Sequence, residues 1–236
     1  MTKILLVLIL GISPCLIWLS YFLKKDPRPE PRYLLLLTFL IGAAFIFPTI
    51  CAELLLKDIL NFLKIRQVLF ASVFLFALIE EIFKFSAAYL TVRNHKELDE
   101  PVDPMIYCIT AGLGFAAAEN FSLIHRLSFS EFAPVSEVMG TNLLRFLGAI
   151  LLHGLTAGIT GYFWAKGIIK SQIYSTLPLG ISIAALFHST FNYLIIKFSS
   201  ITIIWALLFL FIPATLVGIG FKKLICYNFF KEGRKS

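Results

Sequence analysis

Two adjacent glutamates, Glu80 and Glu81, lie near the centre of an apolar stretch that runs from Val68 to Val92. Lys84 follows them in the same stretch, which is long enough to span a lipid bilayer. A charged side chain at the centre of a membrane helix costs about 2.5–3.5 kcal/mol on insertion scales. Because packing alone seldom requires that cost, we expect these three residues to perform chemistry inside the membrane.

Three further apolar stretches also contain polar residues, namely Glu119 with Asn120, His153, and His188 with Asn192. Residues three or four apart on a helix share a face, so Lys84 can reach the carboxylate of either Glu80 or Glu81. The two glutamates point about 100° apart around the helix. We therefore expect one of them to face a reaction centre while the other holds the lysine. His188 and Asn192 are four residues apart and share a face as well.

These residue types favour hydrolysis of an amide bond by a glutamate general base. The chain has no Gly-x-Ser-x-Gly turn, no histidine is followed by glutamate, and every aspartate lies in a loop or at the end of a stretch. Serine, His-Glu-x-x-His zinc and aspartyl mechanisms are therefore excluded. Histidine and asparagine N–H groups can stabilise the oxyanion of a peptide carbonyl. We predict the catalytic residues to be Glu80, Glu81, His153, His188 and Asn192, supported by Lys84, Glu119 and Asn120.

The composition indicates a protein built almost entirely of membrane helices. Of the residues, 58% are hydrophobic and only 15% are charged, with a mean hydropathy of +0.86; a soluble domain has about 25% charged residues. We predict an all-α polytopic membrane helical bundle of about seven transmembrane helices, at residues 4–23, 33–54, 68–92, 105–125, 143–165, 173–196 and 200–221. Residues 1–236 would form a single integral membrane domain, with a catalytic core at about 68–197 and peripheral helices at 4–23, 33–54 and 200–221.

The basic residues predict the orientation. Most of the 21 Lys and Arg flank the apolar stretches, so the net charge of +7 does not indicate binding to nucleic acid. With seven spans, one set of span ends has 13 basic residues and the other has 7. The positive-inside rule then places the amino terminus outside and the carboxyl terminus in the cytoplasm. The polar cluster would lie between the midplane and the outer leaflet, and we expect cleavage at the outer end of a substrate helix.

The polar motifs resemble those of the PrsW intramembrane proteases, which are related to the CAAX prenyl endoproteases and their bacterial kin. The four motifs are Glu80-Glu81-Ile82-Phe83-Lys84, residues 112–120, His153, and His188-Ser189-Thr190-Phe191-Asn192. Asp103 and Tyr107, ahead of the second motif, also fit the family. The resemblance covers about residues 75–195. The CAAX relatives have arginine where this chain has Phe85, so Lys84 favours PrsW.

The resemblance implies an intramembrane endopeptidase of the bacterial cell membrane. Its substrate would be a single-span membrane protein, by resemblance a membrane-bound anti-sigma factor, and its other partner would be the lipid bilayer. Three alternatives remain open. The protein could be a proton-coupled carrier that uses the buried Glu and Lys cluster, a CAAX-like processing peptidase, or a non-catalytic scaffold that keeps the family core.

The sequence has no defined metal-binding motif, and no cofactor is expected. Zinc is an open alternative, because two histidines and a carboxylate would form a three-ligand site with a free position. If zinc is bound, we expect His153, His188 and one glutamate, Glu80, Glu81 or Glu119, to hold it.

Overall fold

The computed structural model describes residues 2–128, 135–197 and 202–232, and within these ranges the chain is helical without strands. The helices are α1 (Thr2–Leu23), α2 (Arg32–Ala44), α3 (Ile46–Phe62), α4 (Phe70–Val92), α5 (Asp103–Ser128), α6 (Val135–Arg145), α7 (Leu151–Lys170), α8 (Ile173–Lys197), α9 (Thr202–Phe209) and α10 (Phe211–Glu232). A five-residue π-helical segment, Phe146–Ile150, joins α6 to α7. The predicted all-α membrane bundle is confirmed. The start of the predicted span 200–221 lies outside the described residues.

Four helical stretches in the described ranges are long and apolar enough to cross a membrane by length and composition: Arg32–Phe62, Val138–Lys170, Ile173–Lys197 and Ile204–Tyr227. The protein is therefore integral to a membrane. Helix α4 is not among them, because it has three charged residues near its centre, Glu80, Glu81 and Lys84. The total of seven spans stays a prediction.

Helix α5 is the centre of the bundle. Every residue from Val102 to Ala117 is buried, and α5 packs against α1, α2, α4 and α7. Glycine makes the closest of these contacts possible. A Cβ atom on Gly114 would lie 2.0 Å from the carbonyl oxygen of Phe39 in α2, and a Cβ on Gly42 would lie 2.2 Å from that of Ala111. Small residues at such positions allow membrane helices to approach closely.

We expect Gly114→Ala to destabilise the bundle. The added methyl group would meet the α2 backbone, which cannot move away by changing a rotamer, and overpacking of this kind costs about 1–3 kcal/mol. For a chain of this size the melting temperature should fall by about 2–12 °C, measured by tryptophan fluorescence in detergent. Gly218→Ala is the matched control, because its Cβ would have no heavy atom within 4 Å. Equal melting temperatures for the two variants would contradict this packing argument.

The helix predicted at 33–54 is broken into α2 and α3 at Phe45. Pro48 lies in the first turn of α3. A proline ring clashes with the carbonyl group four residues earlier, here that of Ala44, and proline is tolerated only in the first turn of a helix. The chain therefore ends α2 at Ala44 and restarts. The predicted span 33–54 thus contains an interruption at Phe45, although α2 and α3 together form one apolar stretch.

The span predicted at 143–165 is also irregular, because it contains the π-helical segment. π-Helical turns are rare and frequently occur at functional sites. Trp18 of α1 donates a hydrogen bond from Nε1 to the carbonyl oxygen of Phe146, at 2.8 Å. The two rings also stack, with centroids 5.3 Å apart. Helix α1, predicted to be peripheral, thus supports the segment that leads to His153.

The linker between α1 and α2 is attached to the start of α5. Arg28 forms an ion pair with Glu100 at 2.8 Å, and the Tyr107 hydroxyl donates a hydrogen bond to Glu30. Asp103 accepts hydrogen bonds from two backbone N–H groups of the loop before it. Burial, together with the nearby charge of Glu30, raises the pKa of Asp103 to about 9. The raised pKa favours the protonated form of Asp103, which reduces its repulsion with Glu30.

Candidate active site

Helices α4, α5, α7 and α8 bring six of the predicted polar residues together in the protein interior, namely Glu80, Glu81, Lys84, Glu119, His153 and His188. Glu81 is fully buried, and its Oε1 accepts a hydrogen bond from Lys84 Nζ at 2.5 Å. The same oxygen lies 2.8 Å from Nδ1 of His188, on α8. Spacing placed Lys84 within reach of either glutamate, and the structure pairs it with Glu81. Glu81 is therefore occupied by two partners.

His153 is held from two sides. Its Nδ1 lies 3.1 Å from Lys84 Nζ, and its Nε2 lies 2.9 Å from Glu119 Oε2. A lysine ammonium is only a donor, so Nδ1 is the acceptor and Nε2 carries the proton that faces Glu119. Glu119, predicted as a supporting residue, is therefore placed to orient the ring of His153. The His153 and His188 ring centroids are 5.0 Å apart.

Glu80 differs from Glu81 in its contacts, because Lys84 and His188 both lie against Oε1 of Glu81 and neither forms a described hydrogen bond with Glu80. Its side chain is 16% exposed, and its Oε2 has no hydrogen-bond partner in the described structure. That oxygen lies 3.7 Å from Nε2 of His188. In a neutral imidazole whose Nδ1–H donates to Glu81, Nε2 is the nitrogen left to act as an acceptor. Glu80 and His188 therefore present two acceptors to the same small space.

Glu80 and Glu119 line a cavity of about 940 Å³, which extends between α2, α3 and α5. Its other walls are mostly apolar, and they include Phe39, Phe47 and Phe115. Such a cavity, with a few convergent polar groups in an apolar lining, is typical of a binding site. Glu80 is thus the predicted catalytic residue that lines this cavity, together with the supporting residue Glu119.

Glu53 of α3 also lines this cavity, and the sequence analysis missed it. Its carboxylate shares the cavity lining with those of Glu80 and Glu119. Glu53 falls inside the predicted span 33–54, and a charge near the end of an apolar stretch reads as a flanking residue. The sequence has no signal that Glu53 lines the same cavity as Glu80 and Glu119, because that depends on how α3 packs against α4 and α5.

Asn192 lies one turn beyond His188 and makes no hydrogen bond described by the structure. It lines a second cavity of about 670 Å³, which also contacts Phe76, Phe191 and Leu207. Asn120 lies deeper, and its Oδ1 accepts a hydrogen bond from Nε of Arg145 at 2.7 Å. Arg145 lines both cavities, and the sequence analysis counted it only as a charge at the end of a span.

Three of these side chains could hold a metal ion. Glu80, His153 and His188 each have a ligand atom within 4.8 Å of the other two. Two histidines and a carboxylate are residue types that form catalytic zinc sites. Oε2 of Glu80 and Nε2 of His188 form no hydrogen bond in the described structure. Both ring nitrogens of His153, however, are engaged. A metal ion would have to displace its contact with Lys84 or with Glu119.

Comparisons with known proteins agree on one family. The model of the PrsW family intramembrane metalloproteases matches residues 30–218. The chain is 27% identical over 195 residues to Protease PrsW of Oceanobacillus iheyensis, covering 82% of this chain and 85% of that protein. It is 30% identical over 167 residues to Protease PrsW of Geobacillus kaustophilus, covering 70% and 68%. Protease PrsW of Bacillus subtilis is 24% identical over 197 residues, covering 80% and 83%. No solved structure matches the chain significantly.

Proposed function

This chain belongs to the PrsW family of intramembrane metalloproteases and is a protease, and we propose that it hydrolyses a peptide bond of a single-span membrane protein with Glu80 as the general base. The observation that supports this assignment most is the difference between the two glutamates. Oε1 of Glu81 is bound by both Lys84 and His188, whereas no described hydrogen bond involves Glu80, and Glu80 lines the larger of the two cavities.

Glu80 and His188 can hold the attacking water between them. Their facing atoms are 3.7 Å apart, which is too long for a direct hydrogen bond, so both atoms remain available to a water molecule beside them. Both atoms are acceptors, so the water would donate one O–H to each and turn an oxygen lone pair towards the substrate. Glu80 would then take the proton as the water attacks the peptide carbonyl. His153 would border the water site. The carboxamide N–H of Asn192 is the oxyanion donor that the sequence suggests, and Asn192 lines the second cavity rather than the cavity that Glu80 lines.

Zinc binding is a second hypothesis for the same residues, and the description of the family as metalloproteases favours it. Glu80, His153 and His188 would hold the ion, which would act as a Lewis acid and lower the pKa of a bound water. Lys84 Nζ, 3.1 Å from His153, opposes a second cation at this point.

We expect cleavage to persist after zinc is removed, because Glu80 and His188 can hold water without it. The test measures zinc by mass spectrometry and cleavage by gel on the same chelator-treated sample. Activity that disappears with the metal and returns with added zinc would establish that zinc is required for cleavage. In that case His188→Ala should lose the ion, whereas His95→Ala, in the α4–α5 loop, should retain it.

The function itself is tested in proteoliposomes that contain the purified protein and a single-span substrate. By resemblance, a membrane-bound anti-sigma factor is the first substrate to try. We expect two fragments by mass spectrometry and no proton movement across the vesicle membrane. Proton flux without cleavage would favour the carrier, and neither activity would favour a scaffold. Cleavage only of prenylated or short peptides would favour the CAAX-like alternative.

We propose that the protein resides in the bacterial cell membrane with its amino terminus outside, its carboxyl terminus in the cytoplasm and its active site towards the outer leaflet. Ser122, on the exposed end of α5 three residues after Glu119, and Ser175, at the opposite end of the bundle, test this orientation. Each would be replaced by cysteine after the exposed Cys51 and Cys226 are changed to serine. We expect a membrane-impermeant thiol reagent to label Ser122→Cys on intact cells and Ser175→Cys only after permeabilisation. The reverse pattern would invert the orientation.

A further inference from the structure

Arg145 ends α6 and points into the protein, although its position near one end of a span suggested a flanking charge. Its side chain is only 15% exposed. The guanidinium lies 3.3 Å from Oε1 of Glu119 through one terminal nitrogen, and its Nε donates to Asn120 at 2.7 Å. Glu119 in turn meets His153 through its other oxygen. Arg145 therefore contacts the carboxylate that orients a predicted catalytic histidine.

The partner of Arg145 is itself fixed. The Asn120 amide nitrogen lies 3.1 Å from the carbonyl oxygen of Leu10 and 3.2 Å from that of Gly11, both in α1. It also donates to Asn142 at 3.1 Å. Because the carboxamide is held by α1 and α6, its oxygen can direct Arg145 towards Glu119. A guanidinium with its donors in a rigid planar fork is well suited to this task.

The backbone provides a second, independent observation. The π-helical segment begins at the residue after Arg145 and ends three residues before His153. Trp18 donates to the carbonyl of Phe146, the first residue of that segment. A π-helical turn has an extra residue, so the residues after it are rotated about the helix axis relative to the residues before it. Arg145 and His153 can therefore meet Glu119 from the same chain segment.

We propose that Arg145 is a positioning residue for His153, acting through Glu119. Its guanidinium contacts Oε1 of Glu119, which leaves Oε2 to accept a hydrogen bond from Nε2–H of His153. Without the guanidinium, Glu119 would be a carboxylate with one partner and would be free to turn towards the cavity that it lines. The proposal rests on the proposed proteolytic function.

The test compares Arg145→Gln and Arg145→Lys with the wild type on one membrane-protein substrate. A small misplacement of a reacting group can reduce the rate by about 10²-fold. We expect Arg145→Gln to lower kcat by about 10–10²-fold with KM nearly unchanged. Arg145→Lys should recover part of kcat, because it keeps the charge beside Glu119 and loses the fork that reaches Asn120. Arg66→Gln, on the exposed loop before α4, is the control and should match the wild type.

A purely structural role predicts a different result. In that case Arg145→Gln would lower the melting temperature and the fraction of active enzyme, and Arg145→Lys would restore both together. Wild-type kcat in Arg145→Gln, a change confined to KM, or a loss that follows the melting temperature would each overturn the proposal. A wild-type protein that cleaves no substrate would instead refute the proposed function.

Discussion

Glu80→Gln is expected to abolish cleavage while the protein remains folded. Glutamine keeps the length and shape of the side chain but cannot accept a proton from water. General-base catalysis contributes about 10²–10⁴-fold to a rate, so turnover should fall by that factor on a membrane-protein substrate in detergent or in proteoliposomes. The melting temperature should stay close to that of the wild type, because the Glu80 carboxylate oxygen has no hydrogen-bond partner to lose.

Glu81→Gln is the informative comparison, since it is the adjacent residue and the change is the same. We expect it to lower both activity and melting temperature, because Glu81 is the buried partner of Lys84 and His188. The two variants therefore distinguish a general base, Glu80, from a residue that holds Lys84 and His188 in place, Glu81. Near-wild-type turnover in Glu80→Gln would mean that Glu80 is not the base.

Lys84→Met should cause the largest loss of stability. Methionine fills a similar volume but leaves Glu81 as a buried carboxylate without a cation, and breaking a buried ion pair in this way costs about 3–5 kcal/mol. At about 2–4 °C per kcal/mol for a chain of this size, the melting temperature should fall by about 6–20 °C. The measurement is thermal unfolding in detergent, together with the yield of inserted protein.

A double variant separates the charge from the packing. Lys84→Met combined with Glu81→Gln removes both charges, so that no unpaired ion remains buried. We expect it to recover most of the lost stability but not the activity, because His188 loses the anion that fixes its tautomer. If the single variant is as stable as the wild type, the ion pair seen at 2.5 Å contributes little.

The local part of the site could be predicted from the sequence. The pairing of Lys84 with a glutamate depends on helix geometry alone, since three or four residues bring side chains to one face. The choice between Glu80 and Glu81 could not be made in this way. It depends on His188, 107 residues further along the chain, and therefore on how α4 packs against α8. Spacing within one helix contains no information about that contact.

The irregular parts of the fold were harder to predict for a different reason. Hydropathy reports whether a stretch is apolar and does not report its backbone path, so a break at Phe45 and a π-helical segment look the same as a straight helix. Pro48 was a local signal of the break, because proline in a helix interior disturbs the preceding turn. Arg145 was misread because a charge near the edge of an apolar stretch normally marks its end.

The order of the partners along the chain has a consequence for how the protein is made. Glu81 is translated 107 residues before His188, and Lys84 is translated 69 residues before His153. At about 5–20 residues per second, α4 waits on the order of 5–20 s for α8. Until then, inserting its charged side chains into lipid costs free energy that no partner offsets. We therefore expect α4 to stay at the translocon or in water until α8 has been made. A nascent chain stalled before α8 would reveal where α4 lies. A protease whose active site needs the last of these helices cannot cut its neighbours during its own synthesis.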